Sequence, residues 1–369
     1  MRRLRLSAAL ATFLLVTSAC GGTDGDPDAA GPVAETTTTV GESTTTQEPA
    51  ADEPPATEDT STVDDPPADD GAAATEATTT TTLRTMPLDV VDAFDNAVTI
   101  PAVPERVFAG DDTSLANLLE LGVRPVGMAV NPNAVPDFLA DQLEGIVDVS
   151  ADTGLRINIE ALAALEPDLI IGPGTPLLQL QYELATEIAP TYAYRYGYAS
   201  SDELRTNLTD VARLFSLEDR AAEIIEELDT RIADLRSRLA ASEVAGEPVS
   251  VLRVFADGAG LSLRHGTTES VLMAEIGIER PANQQSIEGF ATDVSLETLT
   301  DVDAYAIYVY VDDPFDTSAY DEMLASPLWQ TLDAVQNDRV FLVDGGIWNG
   351  ISIAAAHLIL DDLERTLGF

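Results

Sequence analysis

Few side chains in this chain can make or break bonds. There are two histidines, His265 and His357, far apart in sequence, and a single cysteine, Cys20. A bare zinc or manganese site needs several ligands held close together, and two unpaired imidazoles do not supply it. No G-x-S-x-G elbow, P-loop or dinucleotide fingerprint occurs, and the one thiol sits near the N-terminus, so nucleophilic and nucleotide-dependent catalysis have no candidate residues. Aspartates and glutamates are too numerous to nominate an acid/base pair. The reading is therefore a non-enzyme with no catalytic residue, no metal ligand and no cofactor of its own.

What remains is recognition chemistry, the work of arginine forks and aromatic faces. Arg253 lies in the run Val249 to Phe255, a predicted strand, and Arg264 follows one hairpin later. Tyr192, Tyr194, Arg195, Tyr196 and Tyr198 crowd the end of another predicted strand, the place where α/β proteins bind ligands. Side chains alternate along a strand, so at most half of these tyrosines can face a ligand. Trp348 follows a late strand and its Asp344.

The elements that must position these residues read as α/β. Short β-branched runs alternate with helical patterns from Arg106 onward. Strands are expected at Val107 to Ala109, Pro125 to Met128, Asp168 to Ile171 and Thr191 to Tyr194, with helices at Thr113 to Leu121, Ile159 to Leu165 and Pro176 to Ile188. A second series has strands near Val249 to Phe255, Tyr305 to Val311 and Val340 to Val343, and a last helix from Ile351 to Leu367. Between the series lies a long helical stretch, Asp202 to Ser242, which Ser216 and Asp219 divide in the manner of a helix N-terminus. Its second part carries Ile225, Leu228, Ile232, Leu235 and Leu239 at spacings that make one apolar stripe.

The two series echo each other without gaps. Ile157-Asn158-Ile159-Glu160-Ala161-Leu162 leads to Asp168-Leu169-Ile170-Ile171, and Val294-Ser295-Leu296-Glu297-Thr298-Leu299 leads to Tyr305-Ala306-Ile307-Tyr308. Each copy predicts a polar N-cap, a glutamate in the first helical turn, a short helix and a strand. Leu119 to Val123 and Ala274 to Ile278 each place a helix-ending glycine before a strand.

The N-terminus has the order of an export signal: Arg2, Arg3 and Arg5, an apolar run from Leu6 to Val16, then Thr17-Ser18-Ala19-Cys20. The expected use of Cys20 is lipidation, which would anchor the chain to the membrane from outside the cytoplasm. From Gly21 to about Thr85 the chain is almost wholly Thr, Ala, Pro, Asp, Glu and Gly, a composition that predicts a flexible tether. The net charge is −45, and the chain contains no lysine. Before Met86 there are 15 acids and 4 arginines, so 49 acids and 15 arginines follow, a net −34. Such a surface excludes nucleic acid as a partner.

Taken in order, Ile100-Pro101-Ala102-Val103-Pro104-Glu105-Arg106-Val107, Leu115 to Gly127, Leu165-Glu166-Pro167-Asp168, Ser326-Pro327-Leu328-Trp329 and Asp338-Arg339-Val340-Phe341 resemble one family. It is the helical-backbone solute-binding proteins of ABC importers for ferric siderophores, haem and cobalamin. The resemblance covers roughly Leu88 to Phe369. It implies two Rossmann-like α/β lobes joined by one long helix, a ligand cleft between them, and modest closure. With the N-terminal readings, the chain is expected to divide into a signal peptide (1–20), a tether (21–86), an N-terminal lobe (87–198), a helical linker with the spine (199–243) and a C-terminal lobe (244–369). Arg253 matches the arginine of a siderophore-binding subgroup. With Arg264, Trp348 as a cleft wall, and Tyr194, Arg195 and Tyr196, it makes up the expected ligand site. Glu160 and Glu297 match the residues that dock on the two permease subunits. A ferric siderophore is the expected ligand of a monomeric receptor. Cobalamin or haem capture, an extracellular enzyme, and a sensor or adhesion module on this fold are the alternatives.

Overall fold

The computed structural model describes residues 85–130, 135–151, 156–175, 179–197, 201–255, 260–285, 291–312 and 317–369. The expected signal peptide, Cys20 and the tether up to residue 84 lie outside the described residues.

The N-terminal lobe begins with an antiparallel hairpin, β1 (Leu88–Val91) and β2 (Ala97–Ile100). Five parallel strands follow: β3 (Val107–Ala109), β4 (Gly127–Met128), β5 (Val147–Asp148), β6 (Leu169–Gly174) and β7 (Thr191–Arg195), in the order β5-β4-β3-β6-β7. Helices α1 (Asp112–Glu120), α2 (Asp137–Ala140), α3 (Ile159–Ala164) and α4 (Gln179–Ala185) make the connections. Val107, Ala109, Leu169 and Ile171 point into one core, while Phe108 and Ile170 point into another. That period-two split is what a parallel sheet covered on both faces requires.

The linker is α5 (Ser201–Phe215) and α6 (Glu218–Ala240). The break falls where the sequence places it, but Ser216 does not cap the second helix. It takes a left-handed backbone, φ 58°, and the Leu217 amide turns back to the Ala212 carbonyl at 3.0 Å. This is a helix-terminating geometry. The buried stripe of α6 runs through Ala221, Ile224, Leu228, Ile232, Leu235 and Leu239, with Ile225 only partly buried.

The C-terminal lobe has β8 (Val249–Val254), β9 (Leu261–Arg264), β10 (Ala291–Val294), β11 (Ala306–Val311) and β12 (Val340–Leu342), in the order β10-β9-β8-β11-β12. β8, β11 and β12 are parallel, and β9 is antiparallel to both of its neighbours. Its helices are α7 (Thr268–Ile276), α8 (Ser318–Ala325), α9 (Asp333–Gln336), α10 (Gly345–Trp348) and α11 (Ile353–Leu367). One apolar core runs from α1 and the inner face of the first sheet through α5 and α6 to Val249, Val251, Tyr308 and α11. The two lobes share this core.

The internal echo survives as topology. In both sheets the chain leaves an edge strand and returns beside the central one, through α3 in the first lobe and a 3-10 turn, Leu299–Val302, in the second. Gly122 and Gly277 both take positive φ, 79° and 92°, directly after a helix. Local geometry differs in one respect. Asn158 caps α3 and Glu160 sits in its first turn, whereas Glu297 lies in a turn closed by Thr298 N–H to the Ser295 carbonyl, 3.0 Å. The helix expected after Ser295 is a 3-10 turn that begins only at Leu299.

Candidate ligand-binding cleft

Segments that follow the carboxyl ends of parallel strands in the two lobes meet. Beyond β4 lies Pro136, beyond β12 lies Gly346, and a side chain added at Gly346 would meet Pro136 atoms at 3.2 Å. The floor of this gap is formed by Asp112 and Thr113 of α1, Phe138 of α2, and Gly350 and Ile351 ahead of α11. Open α/β sheets bind ligands beyond their strands' carboxyl ends, so this gap is the candidate cleft. A groove of about 790 Å³ lies on the outer flank of β7 beside the hairpin, lined by Asp92, Phe94, Tyr182 and Glu187 among others. It is separate from the candidate cleft.

On the N-lobe side, β3 ends at Gly110, where a Cβ would stand 2.9 Å from the Ile171 carbonyl oxygen. Glycine lets the ends of β3 and β6 approach. Asp111 then caps α1: its carboxylate accepts from the Ser114 amide at 3.0 Å, and Ser114 Oγ accepts from the Asp111 amide at 3.1 Å. Its second oxygen accepts from the Tyr194 hydroxyl. Burial pushes the Asp111 carboxyl up to about 7, helped by the neighbouring Asp112 charge and opposed by these hydrogen bonds. Tyr194 is fully buried, so it is a prop for the strand end rather than a ligand surface. Tyr196 is 38% exposed and lies 6.4 Å from the Tyr194 ring. Arg195 is exposed, and its carbonyl accepts from Asn207 Nδ2 at 3.0 Å. Tyr198 is outside the described residues.

On the C-lobe side, Arg253 reaches the cleft end of β8 half-buried. Its Nε and Nη2 donate to the two oxygens of Asp312 at 2.6 and 2.8 Å, and its guanidinium lies 4.5 Å from the Phe255 ring centre. Asp312 is the residue directly after β11, brought beside β8 by the parallel register that pairs Val311 with Val254. Sequence reasoning missed this partner.

Two expectations change here. Arg264 is 1% exposed, within the lobe. Its Nη2 donates to Asn349 Oδ1 at 3.3 Å, its Nε lies 3.9 Å from Glu269, and its carbonyl accepts from Arg280 at 2.5 Å. Burial raises the Glu269 carboxyl, and burial lowers Arg280 to about 10. Arg264 thus belongs to a buried polar network behind the cleft surface. Trp348 is fully buried, stacked on Tyr308 at 4.6 Å and 20°, with its indole N–H on Asp362 at 2.9 Å. It packs the interior between β11 and α11 instead of forming a wall, because α10 turns its side chain inward.

Glu160 and Glu297 are both exposed. Among the described residues, no three His, Cys, Asp or Glu side chains come together as a metal site, and no helix is long and apolar enough to cross a membrane.

Residues 107–345 match a family model described as periplasmic binding protein. The chain is 29% identical over 289 residues to the probable siderophore-binding lipoprotein YfiY of Bacillus subtilis, covering 74% of this chain and 86% of that protein. It is 26% identical over 264 residues to the Fe(3+)-citrate-binding protein YfmC of the same organism, covering 70% and 79%. Among solved structures, Staphylococcus aureus SirA complexed with staphyloferrin B superposes with a TM-score of 0.66 at 20% identity, covering 76% of this chain and 98% of that one. The siderophore periplasmic binding protein from the fuscachelin gene cluster of Thermobifida fusca gives 0.60 at 26% identity, covering 73% and 98%.

Proposed function

Because the periplasmic binding protein model matches more than half of it, this chain belongs to that family as a solute-binding protein of the ferric-siderophore type, and we propose that it holds a ferric siderophore between its lobes and hands it to an ABC permease. The observation that carries this reading is that the segments following β4 and β12, one from each lobe, come together at Pro136 and Gly346, ahead of two sheets with the same strand order. Arg253, Arg195 and Tyr196 are the side chains best placed to touch the chelate, with Asp312 orienting Arg253. Arg264 and Tyr194 act behind them, as supports for β9 and for the start of α1.

Delivery rests on Glu160 and Glu297. Both are exposed, and each lies on the connection that runs from an edge strand to the strand beside the central one, which supports this reading. A glutamate near a helix start also favours the helix dipole. That applies to Glu160 but not to Glu297, which precedes no α-helix, so local helix stability does not account for both.

The test is the affinity of an Arg253→Ala variant for the siderophore that the wild type binds. Losing hydrogen bonds from a charged donor costs about 1.5–3 kcal/mol, roughly 10- to 150-fold in Kd. Unchanged affinity in a folded variant would remove Arg253 from the site.

A further inference from the structure

Arg253 and Arg195, at the carboxyl ends of β8 and β7, both have acidic company. Arg253 is clasped by both oxygens of Asp312, and Arg195 lies within electrostatic reach of Asp210. Asp112 lines the cleft floor and Asp344 caps α10 beyond β12. All this sits in a region of net charge −34. An anionic chelate would enter against that field, and the guanidinium it would meet on β8 is already neutralised by a bidentate carboxylate.

Resting on the siderophore reading above, we propose that Asp312 sets the charge of the ligand: by clasping Arg253 it makes the cleft a site for uncharged or cationic ferric chelates of the trishydroxamate class. Three hydroxamates cancel the charge of ferric iron, and a pendant ammonium makes the complex cationic. Three catecholates leave it strongly anionic. Arg253 then supplies hydrogen-bond donors and shape to the chelate while contributing little net charge. Asp312 acts through Arg253 and the local field, so it is a specificity-determining residue whose removal should alter which ligand is preferred.

The experiment is calorimetric titration of the full chain with ferrioxamine B (cationic), ferrichrome (uncharged) and ferric enterobactin (anionic), at low and high salt, for wild type and Asp312→Asn. The wild type should bind ferrioxamine B or ferrichrome at least about tenfold tighter than ferric enterobactin, and ferrioxamine B should weaken as salt rises. Asp312→Asn should narrow the gap between ferrioxamine B and ferric enterobactin by about tenfold, because one negative charge beside the chelate is gone. Comparing the same ligands across variants cancels their differences in shape. If the variant does not fold, the opposite salt slopes of the cationic and anionic chelates on the wild type read the same charge. Tightest binding of ferric enterobactin, or a folded Asp312→Asn with the wild-type ratio, would overturn this inference and leave the siderophore reading standing. Binding of none of the three would also overturn this inference, and the siderophore reading would then be decided by the wider ligand titration.

Discussion

Glu120 offers a test of how the two lobes are joined. It is the last residue of α1, and its carboxylate accepts the backbone N–H of Ala354 in the first turn of α11, so an N-lobe side chain holds a C-lobe helix start. Its second oxygen, Oε2, is buried with no hydrogen-bond partner. Arg220 and Glu227 of α6 are its charged neighbours, with opposite effects. Burial raises its carboxyl from 4.5 to about 7, more than the Ala354 hydrogen bond and Arg220 lower it. The folded state therefore binds the proton more tightly than the unfolded state, and stability falls as pH rises through this window. A shift of that size corresponds to about 3 kcal/mol lost between pH 4.5 and pH 7. Glu120→Gln keeps an acceptor for Ala354 and cannot ionise. Urea unfolding at pH 5 and pH 8 should show the variant close to wild type at pH 5 and about 2–3 kcal/mol more stable at pH 8. Asp111, also lifted to about 7 by burial, titrates in both proteins and cancels in the comparison. Parallel loss of stability in wild type and variant would refute the buried Glu120 carboxylate as the cause.

Trp348→Phe should cost about 1–3 kcal/mol of stability, because Asp362 loses a donor and the core loses volume, while ligand affinity stays within about twofold; a large affinity loss in the folded variant would return Trp348 to the cleft. Glu160→Ala combined with Glu297→Ala should leave siderophore affinity intact and abolish uptake through the reconstituted importer. Wild-type uptake by that double variant would reduce both glutamates to surface residues. Cys20→Ser should end labelling by a fatty-acid analogue, and persistent labelling would place the anchor elsewhere.

The two-lobe plan was legible because apolar periodicity and an internal echo report on burial, and burial decides the elements. Val107, Phe108 and Ala109 face alternate cores as their pattern requires. Ser216 was read correctly as a boundary and wrongly as a cap, since serine serves both ends of helices and only the backbone angle distinguishes them. The hairpin β1/β2 went unread because four-residue strands carry too little pattern. β9 and β10 turn the second sheet antiparallel at one side, which runs of β-branched residues do not disclose. At the cleft, strand-end position located Arg253, but its partner Asp312 is 59 residues away. It is brought alongside by the register between β8 and β11, which local sequence does not encode. Trp348 shows the opposite limit: a large aromatic after a strand suits a cleft wall or a core equally well, and its inward turn on α10 depends on packing against Tyr308 and α11.

The central claim is capture of a ferric siderophore between the lobes, and an equilibrium titration of the purified chain tests it most directly. Intrinsic fluorescence would be followed while ferric siderophores, their iron-free forms, haemin and cobalamin are added in turn. Saturable binding of a ferric siderophore, much tighter than its iron-free form and weakened by Arg253→Ala, is the predicted result. Saturable binding of haemin or cobalamin with no response to any ferric siderophore would contradict the account.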